Sequence, residues 1–158
     1  MITKVFIMLY DFLKKAIQRH LHETKLLVDQ LNDQLVISKP VEAGRPLGEI
    51  FLHILRSVEY YLRGLVNNIW EPLPYTLATY STAQAIKSLY EEISDNVKDY
   101  LKQLTPNILT QEIDRFNRPA TKAEIFLELI EHSIHHRGQI TIYYRLLGVE
   151  PASIPYII

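Results

Sequence analysis

The sequence predicts an all-α protein, a four-helix bundle whose helices are joined by long crossover connections. Three observations carry that prediction. Four long stretches place apolar residues at helical spacing. Two of them open with a capping-box pattern. No strand-like alternation persists in a chain that holds only five glycines. The 158 residues suffice for one domain with a sizeable core and are few for two, so 1–158 reads as a single unit.

The first helix is predicted over about residues 3–31, where Phe6, Leu9, Phe12, Leu13, Ala16, Leu21, Leu26, Leu27 and Leu31 recur on one side. The second starts near Pro46, which suits a first helical position, and runs to about Ile69. The third opens with STAQ, in which Ser81 can cap and Gln84 can reach back, and it ends near Leu104, with Pro106 just beyond. The fourth opens with TKAE, where Thr121 and Glu124 form another box, and Gly148 and Pro151 punctuate its end. Connections of roughly 12 to 16 residues are long for tight helical hairpins and allow a crossover. The stretches NNIWEPLPYTLATY and TPNILTQEIDRFNRPA are therefore expected to fold over an end of the bundle. Short strands could form in them, and none is assigned.

Composition removes several function classes. A net charge of -1 and a pI near 6.6 give no support for nucleic-acid binding, which calls for a basic face. The absence of cysteine removes disulfides, cysteine-ligated zinc and a thiol nucleophile from the chain, and is compatible with a cytoplasmic protein. The opening MITKVFIMLYDFLKK is interrupted by Asp11, Lys14 and Lys15 and makes a poor secretory signal. No run approaches the roughly 18 apolar residues that a membrane span needs.

Three of the six histidines fall within five positions of EHSIHHRGQ, residues 131–139. His132 and His136 are four apart and share a helical face with Ile125, Glu128, Leu129, Gln139, Ile140 and Tyr143. His135 lies off its edge. One histidine on an apolar face is usually a satisfied core residue. A pair one turn apart points toward a divalent ion, which provides for two buried rings at once. His20 and His22, in the charged stretch QRHLHETK, read as a solvated face. His53 sits among apolar residues in GEIFLHILRSVEYYL and shares its face with Ile50, Ser57, Tyr60 and Gly64, where the small residues would let a neighbouring helix come close. It is the expected third ligand.

The ligand set limits the chemistry. A zinc-protease H-E-x-x-H motif fails, because Ser133 stands where the glutamate base belongs. No glutamate is followed three residues later by histidine, so the di-iron pattern of ferritin-type bundles fails too. What remains is a mononuclear site on His53, His132 and His136, with a coordination position left open as in catalytic sites. Zinc or nickel is the expected ion, with ferrous iron also compatible with imidazole. The ligands must be neutral to bind, so release is expected as pH falls through roughly 6 to 6.5. Such an ion would lower the pKa of a bound water or thiol, which would attack an electrophile in the pocket. Candidate wall residues are Tyr60, Glu128, Gln139 and Tyr143. Glu128 could be a general base, could orient a ligand imidazole, or could be an exposed helix charge. Gln139 is expected in a structural or ligand-orienting role, Arg137 in a salt bridge or interface, and tyrosines at helical spacing are more often core than catalytic.

The LGEIFLHILRSVEYYLRGL context of His53 and the downstream EHSIHHRGQITIYYRLLGVEP resemble the DinB/YfiT-like superfamily. The resemblance runs from the first helix to the closing LGVEP. Its most specific part is H-x-x-x-H-R-G-Q at His132 to Gln139. It implies a four-helix bundle with a crossover, a divalent metal on His53, His132 and His136, and frequent homodimers. It also implies reactions of the kinds assigned to members: transfer of low-molecular-weight thiols such as bacillithiol, a mycothiol-dependent isomerisation, and hydrolysis. His135 is not a ligand position in that pattern. Despite the DNA-damage association in the family name, the charge balance disfavours nucleic acid as a partner. Two classes stay open: a metal-dependent small-molecule transferase or hydrolase, and a metal-binding, stress-related or interaction protein without turnover. A second apolar line on the last helix, Leu127, Ile130 and Ile134 continued by Gly138 and Thr141, needs a second burial surface, either another helix of the same chain or a two-fold partner, and a homodimer using this face is expected.

Overall fold

The computed structural model describes residues 2–155 of the chain. Its order is α1 (Ile2–Asp29), α2 (Asp33–Ile37), α3 (Leu47–Asn67), α4 (Ala83–Gln103), α5 (Pro106–Leu109), β1 (Glu112–Phe116), β2 (Arg118–Thr121) and α6 (Lys122–Leu146). The four long helices match the four predicted ones. Their starts depend on local chemistry. Thr121 and Glu124 form the full reciprocal box at the head of α6, closing two of the donors that a helix start leaves unpaired. At α4 the cap is Thr82 rather than Ser81. Its hydroxyl accepts from the Ala85 amide, and Gln84 bonds Ser88 instead of reaching back. Pro46 precedes the first turn of α3 as its cap, one residue earlier than its predicted place. Gly148 ends the run after α6 at a φ of 77, a conformation that costs a residue without a Cβ nothing.

Hydrogen bonds between helices fix the directions. Arg137 pairs with His20, and seven residues further along both helices Tyr144 bonds the Leu27 carbonyl, so α1 and α6 run parallel. Tyr90 bonds the Leu21 carbonyl and Tyr10 the Leu101 carbonyl, so α4 is antiparallel to α1. His53 meets His132 while Leu65 meets Lys122, so α3 is antiparallel to α6. It follows that α3 and α4 are parallel, and residues 68–82 must travel the length of the bundle between them. At about 3.3–3.6 Å per extended residue they can cover roughly 50 Å, ample for the roughly 31 Å of the 21-residue α3. This is the predicted crossover, but it lies along the helices as a strap rather than over one end.

The strap is seated by Trp70. A Cβ placed on Gly64 would fall 2.3 Å from the Trp70 ring, so the notch expected to admit a neighbouring helix admits an indole instead. Arg63 and Arg56 bond the Glu71 and Tyr75 carbonyls and hold the strap further along. The core beneath includes Phe51, Leu55 and Leu62 of α3, Ile17 and Leu27 of α1, Ile86 and Ile93 of α4, and Phe126 and Leu129 of α6, all buried. Each such burial contributes about 1.5–3 kcal/mol relative to exposure. Residues 112–121 form an irregular antiparallel hairpin ahead of α6, with Ile113 paired to Ala120 and Phe116 to Arg118. Four- and five-residue strands with mostly charged outer positions carry too little alternation to be assigned from sequence.

α6 needs two burial surfaces within its own chain. Ile125 and Leu129 share the turns that carry the α3 contacts, while Ile130, Arg137 and Tyr144 form the line toward α1. Ile130 is thus consumed inside the protomer, and Leu127 and Ile134 remain exposed. Among the described residues no helix is long and apolar enough to cross a membrane.

Candidate metal centre

α3 supplies His53, and α6 supplies His132 and His136 from consecutive turns, so the antiparallel pairing brings all three to one point of the seam. Nε2 of His53 and Nε2 of His132 lie 3.0 Å apart. One ligand atom from each of the three rings falls within 4.8 Å of the others. The ring centroids of His136 stand 4.6 Å from His53 and 4.5 Å from His132. Among the described residues this is the group of histidine and carboxylate side chains able to hold a metal ion, and no carboxylate belongs to it.

Burial sets the charge state of the cluster. His53 is pushed down to about 4, first by burial, then by the cationic forms of His136 and His132, with Arg56 and Arg45 adding to the effect. His132 is lowered to about 4 by burial and by His136 and His135. His136 is lowered by burial and partly restored by its bond to Gln139. All three rings are therefore neutral at neutral pH and have a lone pair to offer. His136 gives its Nδ1 proton to Oε1 of Gln139 at 2.8 Å, which leaves its Nε2 as the free donor atom.

The donor chemistry of the three residues suits a divalent ion, and His53 and His132 already stand at ligand spacing. Two facing Nε2 atoms at 3.0 Å must share a proton or a cation. Two nitrogens each about 2.0–2.1 Å from one ion stand roughly 2.8–3.4 Å apart at octahedral to tetrahedral angles. Nδ1 of His132, the ring nitrogen that an Nε2-bound ion would leave untouched, is buried without a hydrogen-bond partner. Three neutral imidazoles form the borderline donor set that zinc, nickel and ferrous iron accept.

A cavity of about 380 Å³ opens beside His53 and His132. Arg56, Ser57, Tyr60 and Tyr61 of α3 line it, together with Pro72 and Leu73 of the strap. The seam thus offers the cluster on one wall and space for a small molecule next to it.

The structure brings some of the predicted wall residues here and not others. Tyr60 lines the cavity. Gln139 touches a ligand ring and not the cavity. Glu128 is exposed and lines a separate pocket of about 190 Å³ under the hairpin, with Tyr61, Phe116, Asn117 and Arg118. Tyr143 is half-buried, with its hydroxyl 3.1 Å from where a Gly44 Cβ would stand, toward the loop before α3. His22 is exposed as expected, but His20 is not solvated. It is 4% exposed and takes a 2.8 Å bond from Arg137 at Nδ1, while Arg137 also pairs with the buried Glu23 carboxylate. The charged composition of QRHLHETK hid this. His20 and Glu23 are three apart and both turn to α6, where the guanidinium provides for them. Sequence reasoning also missed Arg56, which its place three residues after His53 could have flagged. Nothing in the sequence could have brought Pro72 and Leu73 to the site.

Comparison with known proteins agrees with this architecture. The model of the DinB family matches residues 1–157. The chain is 27% identical over 132 residues to the uncharacterised Bacillus subtilis protein YjoA, covering 82% of this chain and 84% of that one. It is 25% identical over 141 residues to the uncharacterised YrdA of the same organism, covering 88% and 83%. The crystal structure of the DinB-like YjoA superposes with a TM-score of 0.75 at 24% identity over 91% of this chain and 95% of its own. That of a DinB-like protein from Bacillus cereus gives 0.74 at 23% identity over 92% and 95%.

Proposed function

Because the chain belongs to the DinB family, we propose that it is a metal-dependent small-molecule enzyme of the S-transferase or hydrolase type. The observation that carries this reading is the 3.0 Å approach of two histidine Nε2 atoms from different helices beside a third histidine and an adjoining cavity. His53, His132 and His136 would hold one divalent ion, zinc or nickel before ferrous iron. When bound, the ion would supply Lewis acidity and lower the pKa of a coordinated water or small thiol.

The chain's own residues supply the rest. Gln139 fixes the tautomer and plane of His136. Tyr60 and Ser57 line the cavity and carry hydroxyls that can orient an electrophile, and Pro72 and Leu73 of the strap add apolar surface to it. With no cysteine in the chain, any thiol in the reaction comes from a small molecule. The proposed partners are accordingly a small-molecule electrophile, a low-molecular-weight thiol or water, and a second copy of the chain, in the cytoplasm.

The test has two arms. Elemental analysis of protein purified without added metal or an affinity tag is expected to find one ion per chain, lost in His53→Ala. A panel of thiols and electrophiles, with ester and amide hydrolysis alongside, is expected to show turnover by metal-loaded protein only. Retention of full metal by His53→Ala refutes the ligand set. Metal binding with no exchangeable coordination position and no turnover favours a metal-binding protein without catalysis.

A further inference from the structure

We propose that the cavity beside the histidines selects a substrate that carries a carboxylate, and that Arg56 is the specificity-determining residue that binds it. The inference rests on the reading of the cluster as a reaction centre and names the substrate class for it.

Polarity on the cavity wall is one-sided. Arg56 contributes a permanent cation, Ser57, Tyr60 and Tyr61 contribute hydroxyls, and no carboxylate is among the lining residues. A divalent ion on three neutral imidazoles would add further positive charge that nothing on the wall offsets. A cationic substrate would meet repulsion there, whereas an anionic one would be attracted.

Arg56 is also held in place. Its Nη1 donates to the Tyr75 carbonyl, and its Nη2 reaches one Glu49 oxygen at 3.3 Å. Glu49 is not among the lining residues, and its contact is single rather than bidentate. Donors on the planar fork therefore remain for a carboxylate, and the strap has already fixed the side chain's rotamer. Nη2 lies 3.4 Å from Nδ1 of His53, so a carboxylate held by the guanidinium would set the atoms attached to it beside the metal-binding histidines. A lysine in this place would supply charge without the fork.

Trp70, the only tryptophan, packs edge-on against Tyr60 with centroids 5.5 Å apart and reports on the cavity by fluorescence. Titrations of zinc-loaded and metal-free protein would compare 3-phenylpropionate, its neutral amide and inorganic phosphate. The carboxylate is expected to bind roughly tenfold more tightly than the amide in both forms. Arg56→Met should erase that preference, and Arg56→Lys should keep part of it. Glu49→Gln removes the competing carboxylate and should tighten binding of the acid, a readout that does not depend on either Arg56 variant folding. Equal affinity for acid and amide, a preference untouched by Arg56→Met, or phosphate binding as tightly as the carboxylate would each overturn the proposal. If the protein binds none of zinc, nickel and ferrous iron, the reaction-centre reading fails, while the acid-against-amide comparison in metal-free protein still decides the role of Arg56.

Discussion

Nδ1 of His136 and Oε1 of Gln139 lie 2.8 Å apart on successive turns of α6, and this bond decides which nitrogen His136 can offer to an ion. A ring whose Nδ1 proton is held by an acceptor presents its Nε2 lone pair in one orientation. Gln139→Ala removes the acceptor and lets the ring turn and change tautomer. The expected result is a loss of about 10- to 100-fold in metal affinity with helix content unchanged, measured by competition against a chromophoric chelator. Unchanged affinity would show that the ring is held by packing alone.

The buried histidines make metal-free protein acid-sensitive. His20, His53 and His132 titrate near 4 in the folded chain and His136 is also lowered, against about 6.5 for a free imidazole. Between those values the unfolded chain binds more protons, so stability is fully present above about pH 6.5 and falls as pH drops toward 4. The same depression means that protons compete with metal at lower pH than the 6 to 6.5 expected for exposed rings. Urea unfolding of metal-free protein at pH 7, 5.5 and 4.5 should show a steady decline, flatter in His20→Gln. A constant midpoint would contradict the burial of these rings.

The parts of this molecule that were legible in the sequence are those encoded by short-range spacing. Thr121 and Glu124 mark the head of α6 because a capping box is complete within four residues. His132 and His136 share a face because four residues make about one turn. What stayed hidden depends on which helix lies alongside. His20 and Glu23 look like surface charges until α6 delivers Arg137 to them, and Trp70 has no predictable place until Gly64 leaves it one. The hairpin is not legible because only Ile113 and Phe116, three apart, are half-buried in β1, and only the adjacent Ala120 and Thr121 turn inward in β2, so neither strand alternates.

Breaking the buried ion pair between α1 and α6 should cost much more than its removal as a unit. Arg137 and Glu23 are 8% and 7% exposed at their side chains, so Arg137→Met strands a carboxylate in the interior, with His20 left beside it. The expected loss is about 3–5 kcal/mol in chemical denaturation. The double variant Arg137→Met, Glu23→Gln removes both charges and should recover a large part of it. Because Arg137 follows a ligand residue directly, the single variant should also weaken metal binding. A double variant no better than the single would mean that the pair serves packing and not charge.

Part of the exposed apolar surface of the protomer lies on the outer side of the parallel pair α1 and α6. Val5, Met8 and Phe12 on α1 are 55%, 67% and 62% exposed, and Leu127 and Ile134 on α6 are 44% and 43% exposed. The parallel register, in which His20 meets Arg137 and Leu27 meets Tyr144, sets Phe12 at the height of the turn that begins at Leu127, so the two rows belong to one patch. Gly138 continues the α6 row and has no atom within 4 Å of where a Cβ would stand, which leaves room for a close approach by another helix. A second copy packed across this face would cover both rows under two-fold symmetry, and we expect a homodimer at micromolar concentration. Ile134→Glu and Phe12→Glu should each shift sedimentation to the monomer while leaving the fold and the metal site intact. Gly138→Ala separates the two possibilities further. In a monomer it removes a helix-interior glycine and should stabilise by about 0.5–1 kcal/mol. In a dimer with helices in close contact at that point it should instead weaken association. A wild-type protein that sediments as a monomer, with Gly138→Ala simply more stable, would leave this face without a second copy.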